Sequence, residues 1–290
     1  MNKSILITGG AGQFGRELTN FLLQKKYTVL STDVIDNTST AYMDITLPKS
    51  IKPVIDNFQP DIIINAGAFT NVDKSEYEKD IAWKINAIGV QNLIEHLSRD
   101  TQFIQISSDY VFDGRNGPYS ETDDVNPLSY YGQTKLDAER ILLDSNINTL
   151  IIRPNVLFSS NLDSTASFVS WVFNSLTQLK PIRVVTDQIS NPTWIHALSE
   201  TIDICINENA KGLYHYGSEN QISRYDFAIQ IADVFDLDST LISPILTNDL
   251  NQKAPRPLNS GLLTHKIKNE LEVPVYTTEY CLNKIKAGTL

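Results

Sequence analysis

Cysteine is nearly absent from the chain: only Cys205 and Cys281 occur in 290 residues, far apart and in no metal-ligand spacing. A disulfide framework is therefore excluded as the organising element, and a reducing compartment, the cytoplasm, is the expected setting. Long apolar runs are also missing, and nothing approaches the roughly 18 uninterrupted apolar residues of a membrane span. The first short run, Ile5-Leu6-Ile7, is too brief for a secretion signal and leads into glycines, so a first strand is expected there. Positive charge is scarce. Against 34 Asp and Glu stand 24 Lys and Arg, so the net charge is 24 − 34 = −10, which disfavours nucleic acid and anionic membrane surfaces as partners. His196 and His215 are too far apart in the chain to argue for a shared site, and no metal site can be assembled.

What is present is an ordinary globular composition, 41% hydrophobic and 20% charged. Short β-branched runs alternate with helical patterns through the first half. Strands are expected at residues 4–8, 28–32, 61–65, 103–107 and 149–153, and helices at 15–25, 51–58, 81–97 and 129–143. Between the second strand and the next helix lies a polar loop holding Asn37, Thr38 and Ser39. This alternation, with continuously apolar strands, points to an α/β fold: a Rossmann-type, doubly wound parallel sheet covered on both faces. After about residue 155 the pattern loosens into helices at 197–207, 223–235 and 277–286 among loops rich in Pro, Asn and Ser. We therefore expect a dinucleotide-binding domain over 1–155 and a smaller substrate-binding lobe over 156–290, whose segments can interleave with the first.

The first strand ends in Gly9-Gly10-Ala11-Gly12-Gln13-Phe14-Gly15. A dinucleotide needs a tight turn, a backbone without Cβ beside the pyrophosphate and close helix–strand packing, and Gly9, Gly12 and Gly15 meet these needs. The helix that follows offers unpaired N–H groups and the positive end of its dipole to phosphates. Asp33, at the end of the second strand, is the acid expected to accept the ribose hydroxyls. Its charge repels a 2′-phosphate, so NAD(H) is favoured, with NADP(H) possible. Asp44 and Ile45 are expected beside the adenine.

Tyr131 and Lys135 are four residues apart on an expected helix and share a face. A free phenol titrates near 10, too high for fast proton exchange at neutral pH, and a nearby ammonium brings it down. Ser107-Ser108-Asp109-Tyr110 directly follows the strand ending at Ile106, so a hydroxyl there can hydrogen-bond the same carbonyl oxygen that the tyrosine protonates. Glycine turn, strand-end serine and Tyr/Lys pair, in this order, indicate nicotinamide-dependent oxidoreduction.

With these motifs the chain resembles the extended short-chain dehydrogenase/reductases, and within them the dTDP-4-dehydrorhamnose reductases. The matching stretches include Gly9–Gly15, 65–73 (NAGAFTNVD), 106–114 (ISSDYVFDG), 131–139 (YGQTKLDAE), 185–188 (VTDQ), Pro192-Thr193 and 254–260 (APRPLNS). The resemblance implies reduction of the 4-keto group of a nucleotide-linked deoxysugar, in the synthesis of cell-surface polysaccharide sugars. By the same resemblance Ser108, Tyr131 and Lys135 are catalytic, and Lys135 also holds the nicotinamide ribose. Gln13, Phe14, Ala66, Gly67 and Ala68 flank the cofactor, Val72 and Tyr110 line the sugar pocket, and Asn86 anchors a proton-relay water. Asn155 is expected on the substrate side, and Arg256 as a diphosphate clamp, since a guanidinium holds phosphate oxygens in bidentate fashion. Trp194 and His196 either touch the nucleotide base or pack in the core.

Two departures lie on the substrate side. Where the reductases read Thr-Ser-Trp-Val-Tyr after the arginine, this chain reads Pro154-Asn155-Val156-Leu157-Phe158, and Thr165-Ala166-Ser167-Phe168 replaces Gly-Asn-Asn-Phe. Two alternatives thus stay open: a nucleotide-sugar 4-epimerase or dehydratase on the same scaffold, and a non-catalytic reductase-like regulatory subunit. A homodimer is a further possible association.

Overall fold

Every position of β1 (Ser4–Thr8) after its first residue is buried, as a central parallel strand covered on both faces requires. In the computed structural model, which describes residues 3–35, 39–164 and 167–288, it is followed by α1 (Gln13–Gln24), β2 (Thr28–Asp33) and the two-residue β3 (Ala41–Tyr42). Next come α2 (Pro48–Phe58), β4 (Ile62–Asn65), a helical run over 79–94 (α3), β5 (Gln102–Ile106), α4 (Tyr130–Leu143) and β6 (Asn148–Pro154). Asn37 and Thr38 of the expected polar loop, and the departing residues Thr165 and Ala166, lie outside the described residues.

Beyond β6 the chain forms α5 (Phe168–Thr177), α6 (Ile195–Asn207), β7 (Gly212–Tyr216) and α7 (Arg224–Val234), with three two-stranded pairings among the intervening segments and the segment just after α7. The main sheet runs β7-β6-β5-β4-β1-β2-β3, all parallel. Its order reverses between β1 and β4, the place where doubly wound sheets bind ligands. Alternate residues feed two cores. Ile5, Ile7, Ile62, Ile64, Ile104 and Ile152 join Leu18, Leu22 and Leu198 on the α1–α6 side. Leu6, Ile63, Phe103 and Ile151 join Ile51, Val90, Ala138 and Leu142 on the other.

One expectation changes, and the interleaving of the two parts takes a definite form. The continuous helix expected over 81–97 is instead α (Lys79–Trp83), π (Lys84–Ile88) and α (Gly89–Ile94). The widened turn holds Asn86, whose amide accepts from Phe69 N (2.7 Å) and donates to Phe69 O (3.2 Å) and Thr134 Oγ1 (2.9 Å), so a side chain tied to two other segments sits where the helical ladder is re-spaced. The C-terminal part, expected as helices and loops whose segments can interleave with the first domain, contributes β7 to the main sheet, in register from Gly212 opposite Leu150 to Tyr216 opposite Pro154. Among the described residues no helix is long and apolar enough to cross a membrane.

Candidate active site

The turn after β1 brings backbones closer together than any side chain would allow. Gly9 lies at φ +69°, and a Cβ on Gly15 would stand 2.2 Å from Gly9 O and 2.8 Å from Gly10 Cα. Helix α1 is thereby pressed onto the strand end with its N-terminal amides facing the turn. Asp33 closes the edge: Oδ2 accepts from Ala11 N (3.0 Å) and Oδ1 from Ile35 N (3.2 Å), fixing the carboxylate beside the glycines.

Close packing also sets the second half of the site. Ser129 caps α4, its Oγ accepting from Gly132 N (3.2 Å), while Glu76 accepts from Tyr130 N (2.8 Å). A Cβ on Gly132 would lie 2.1 Å from Tyr110 O, so only glycine lets α4 rest on the turn Asp109–Val111. That contact sets the Tyr131 and Tyr110 rings edge to face, with centroids 5.5 Å apart. Ser108 Oγ accepts from Tyr110 N (3.2 Å) and donates to Asp109 Oδ1 (3.1 Å).

Both halves open into one cavity of about 890 Å³. It is lined by Gly9, Gly12, Gln13, Phe14, Gly15, Asp33, Asp44, Ile45, Ala66, Gly67 and Ala68, together with Val72, Ser108, Tyr110, Tyr131 and Lys135. The glycine cradle, which any Cβ would fill, and the carboxylate at its rim fit a dinucleotide.

Burial governs the titration of the reactive groups. Tyr131 is raised above its ordinary value, first by burial and then by the Asp109 carboxylate, while a hydrogen bond with Ser108 opposes. The expected lowering by Lys135 is not what the structure shows: its Nζ donates to Ile106 O (2.6 Å). Lys135 itself is pushed down to about 8 by burial, against the field of Glu139. Asp109 is pushed up to about 6 by burial, opposed by hydrogen bonds from Ser260 and Ser108 and by the charge of Arg224.

Behind this group lies an ion pair that local sequence did not reveal. Glu139 accepts from Arg153 Nε (2.9 Å) and Nη2 (2.6 Å) and from Ser107 Oγ, and Arg153 Nη1 meets His215 Nε2 at 3.3 Å. It braces the β5 end against α4 and β6.

Two residues expected to contact substrate are not on the cavity wall. Asn155 is fully buried, donating to Ser260 O (2.8 Å), and its Oδ1 has no partner among the described residues. Arg256 is held by Asp73 through two contacts, Nη1–Oδ1 at 3.2 Å and Nη2–Oδ2 at 2.9 Å, and also donates to Ala254 O. His196 and Trp194 also lie off the wall: His196 meets Glu17 (2.8 Å) and Trp194 is buried beside it. The wall instead includes residues not singled out from sequence, Thr70, Ile81, Lys84 and Arg224, together with Leu157 of the departing segment. Val156, at the position of the reductases' tryptophan, lines it at φ +33°, a left-handed conformation that a β-branched residue rarely adopts.

A parallel sheet reversing at β1/β4, a glycine turn there and a Ser/Tyr/Lys group on the same cavity define a nicotinamide-dependent oxidoreductase of the short-chain dehydrogenase/reductase type. Comparison with known proteins narrows this. Residues 2–287 match the family described as RmlD substrate binding domain, and the chain belongs to that family. It is 34% identical to a dTDP-4-dehydrorhamnose reductase of Aggregatibacter actinomycetemcomitans, over 98% of each chain. Among solved structures, a dTDP-4-dehydrorhamnose reductase from Bacillus anthracis in complex with NADP superposes with TM-score 0.92 at 27% identity, covering 100% of both chains. One from Clostridium acetobutylicum gives 0.88 at 33% identity, covering 99% of this chain and 100% of that one.

Proposed function

We propose that the chain reduces the 4-keto group of a nucleotide-linked deoxysugar, a dTDP-4-dehydrorhamnose-like substrate, with NAD(P)H as reductant and NADH favoured. The observation that carries this reading is the meeting of Ser108, Tyr131 and Lys135 with the Gly9–Gly15 turn on one cavity. A partner-only protein has no need of that set.

Gly9, Gly12, Gly15 and the N-terminus of α1 would hold the cofactor's pyrophosphate, and Asp33 its adenosine ribose hydroxyls. When bound, the nicotinamide supplies the hydride. The protein's own part is proton delivery and orientation. Tyr131, kept protonated by burial, gives its phenolic proton to the carbonyl oxygen as negative charge develops there. Ser108 polarises the same oxygen by hydrogen bonding. Lys135, anchored on Ile106 O, offers its ammonium charge to the phenolate left behind and its remaining N–H donors to the nicotinamide ribose. Asn86 would act on a reprotonating water path through the two segments it ties together, at Phe69 and Thr134.

The test follows NADH and NADPH oxidation with dTDP-4-dehydrorhamnose, comparing wild type with Tyr131→Phe. Turnover lowered by about 10²–10⁴ in the variant, with cofactor affinity unchanged, is the expected result. A wild type that binds cofactor yet turns over no 4-keto nucleotide sugar would overturn the reading.

A further inference from the structure

Three arginines point inward at or near the catalytic end of the molecule, and two are neutralised. Arg153 is paired with Glu139, and Arg256 with Asp73. The third, Arg224, is the first residue of α7, after the Ser223 cap, and it lines the cavity. Its backbone N–H donates to Gln188 O (3.0 Å). Its guanidinium lies over the Phe168 ring, 5.0 Å from the centroid, and Phe168 is in turn stacked on Phe227 (5.7 Å, 15°). Among the described residues, nothing accepts a hydrogen bond or forms an ion pair with that guanidinium. An aromatic face steers a cation but supplies no acceptor for its five N–H donors, which are left open to the cavity. The arginine also sits in the first turn of a helix, where the macrodipole disfavours positive charge. The fold bears both costs to keep a bare guanidinium on the wall.

The groups whose charge reaches Arg224 are Tyr110, Asp109 and Arg256. The field of Arg256 reaches Tyr110 as well, so two guanidiniums act on this tyrosine, and only one has a carboxylate partner. Asp109 reaches the guanidinium only as a field, so an anionic ligand in the cavity would supply the direct acceptor that the described residues do not. The cofactor's phosphates are assigned to the glycine turn. In a nucleotide-linked 4-keto deoxysugar the sugar is neutral, and the diphosphate is the only formally charged part. We propose that Arg224 is the substrate's phosphate contact: seated on Phe168 and free of protein acceptors, its guanidinium takes the diphosphate linking nucleoside to sugar. The inference rests on the nucleotide-sugar reading above and places the phosphate contact on Arg224 rather than on Arg256, which Asp73 already occupies.

The test is calorimetric titration of the full-length protein with dTDP and UDP, in phosphate-free buffer, for wild type, Arg224→Gln and Arg224→Lys. NADH affinity measured on the same samples reports that the fold is intact. Losing a charge-assisted hydrogen bond to phosphate corresponds to about a tenfold to hundredfold weaker nucleoside-diphosphate Kd in Arg224→Gln. Arg224→Lys, which keeps the charge and loses the planar fork, is expected between the two. In turnover, KM for the sugar nucleotide rises more than kcat falls. Unchanged dTDP and UDP affinity in Arg224→Gln, with NADH binding retained, would overturn the assignment of Arg224 and leave the reductase reading standing. A wild type that binds neither nucleotide would overturn the nucleotide-sugar reading and this inference with it.

Discussion

Replacing Glu139 with Gln tests whether the brace behind the active site is structural. Glu139 and Arg153 are 1% and 3% exposed, so water cannot take over the charge that the substitution strands. Gln keeps the side chain's shape and one carbonyl acceptor, but it loses the negative charge between Arg153 Nε and Nη2 and one acceptor oxygen. Breaking a buried pair from one side costs about 3–5 kcal/mol, because the other ion remains desolvated and unpaired. Arg153 retains the Phe112 ring at 5.1 Å and His215, which places the expected loss near the lower end, about 3 kcal/mol. In a chain of this size that corresponds to a melting temperature lower by roughly 5–10 °C. Urea denaturation followed by fluorescence and circular dichroism measures the loss directly. The companion variant is Glu139→Gln with Arg153→Met, which removes both charges and is expected to recover at least about 1 kcal/mol relative to the single change. A single variant within about 0.5 kcal/mol of wild type, the scatter of ordinary surface changes, would refute the reasoning.

Two other expectations concern the site directly. Burial lowers Lys135 to about 8, so as pH rises through that value it loses its proton, and with it the charge that the proposed mechanism offers to the phenolate. Reductase kcat/KM should therefore fall on the alkaline side with an apparent pKa near 8, and a profile still flat beyond about pH 9 would contradict it. Gly15→Ala places a methyl group 2.2 Å from Gly9 O and 2.8 Å from Gly10 Cα, backbone atoms that cannot swing aside. Overpacking of about 1–3 kcal/mol should weaken NADH binding by about tenfold or more in a fluorescence titration, and an unchanged Kd would show that the turn is not the cofactor cradle.

The parts of the molecule read correctly from sequence are those whose chemistry is local. Three of the glycines after an apolar strand mark the tight turn between β1 and α1 because strand, turn and helix are contiguous. Tyr131 and Lys135 share a face because helical periodicity demands it. Ser108 stands at a strand end because Ile106 closes the apolar run. What was missed is held by distant partners. A sequence shows that Arg256 carries charge, but not that Asp73, 183 residues earlier, already neutralises it. Spacing puts Lys135 beside Tyr131, yet does not show that Ile106 O takes the ammonium. The pairing of Glu139 with Arg153 joins a helix to a strand and leaves no periodic trace. Strand β7, Gly-Leu-Tyr-His-Tyr, carries no continuous apolar run, and its partner β6 makes it a strand. Arg224 did leave a signal: a cation at the start of an expected helix is a choice the helix dipole disfavours.

The place of β7 in the main sheet bears on how such a molecule can change over generations. Leu150, Ile151 and Ile152 of β6 are fully buried, and their outer neighbour is a strand encoded some sixty positions later. A gene fragment ending near residue 155 would thus leave β6 as a bare apolar edge open to association. The two halves are not interchangeable cassettes. Between β6 and β7, by contrast, the chain leaves the sheet and returns, and this excursion carries Val156 and Leu157, two of the wall residues around the cavity. Variation confined to that excursion can reshape which sugar is accepted while the nucleotide-holding frame and its hydrogen-bonded edges stay closed. New specificities in this architecture should accumulate as rewritten excursions rather than as recombined halves.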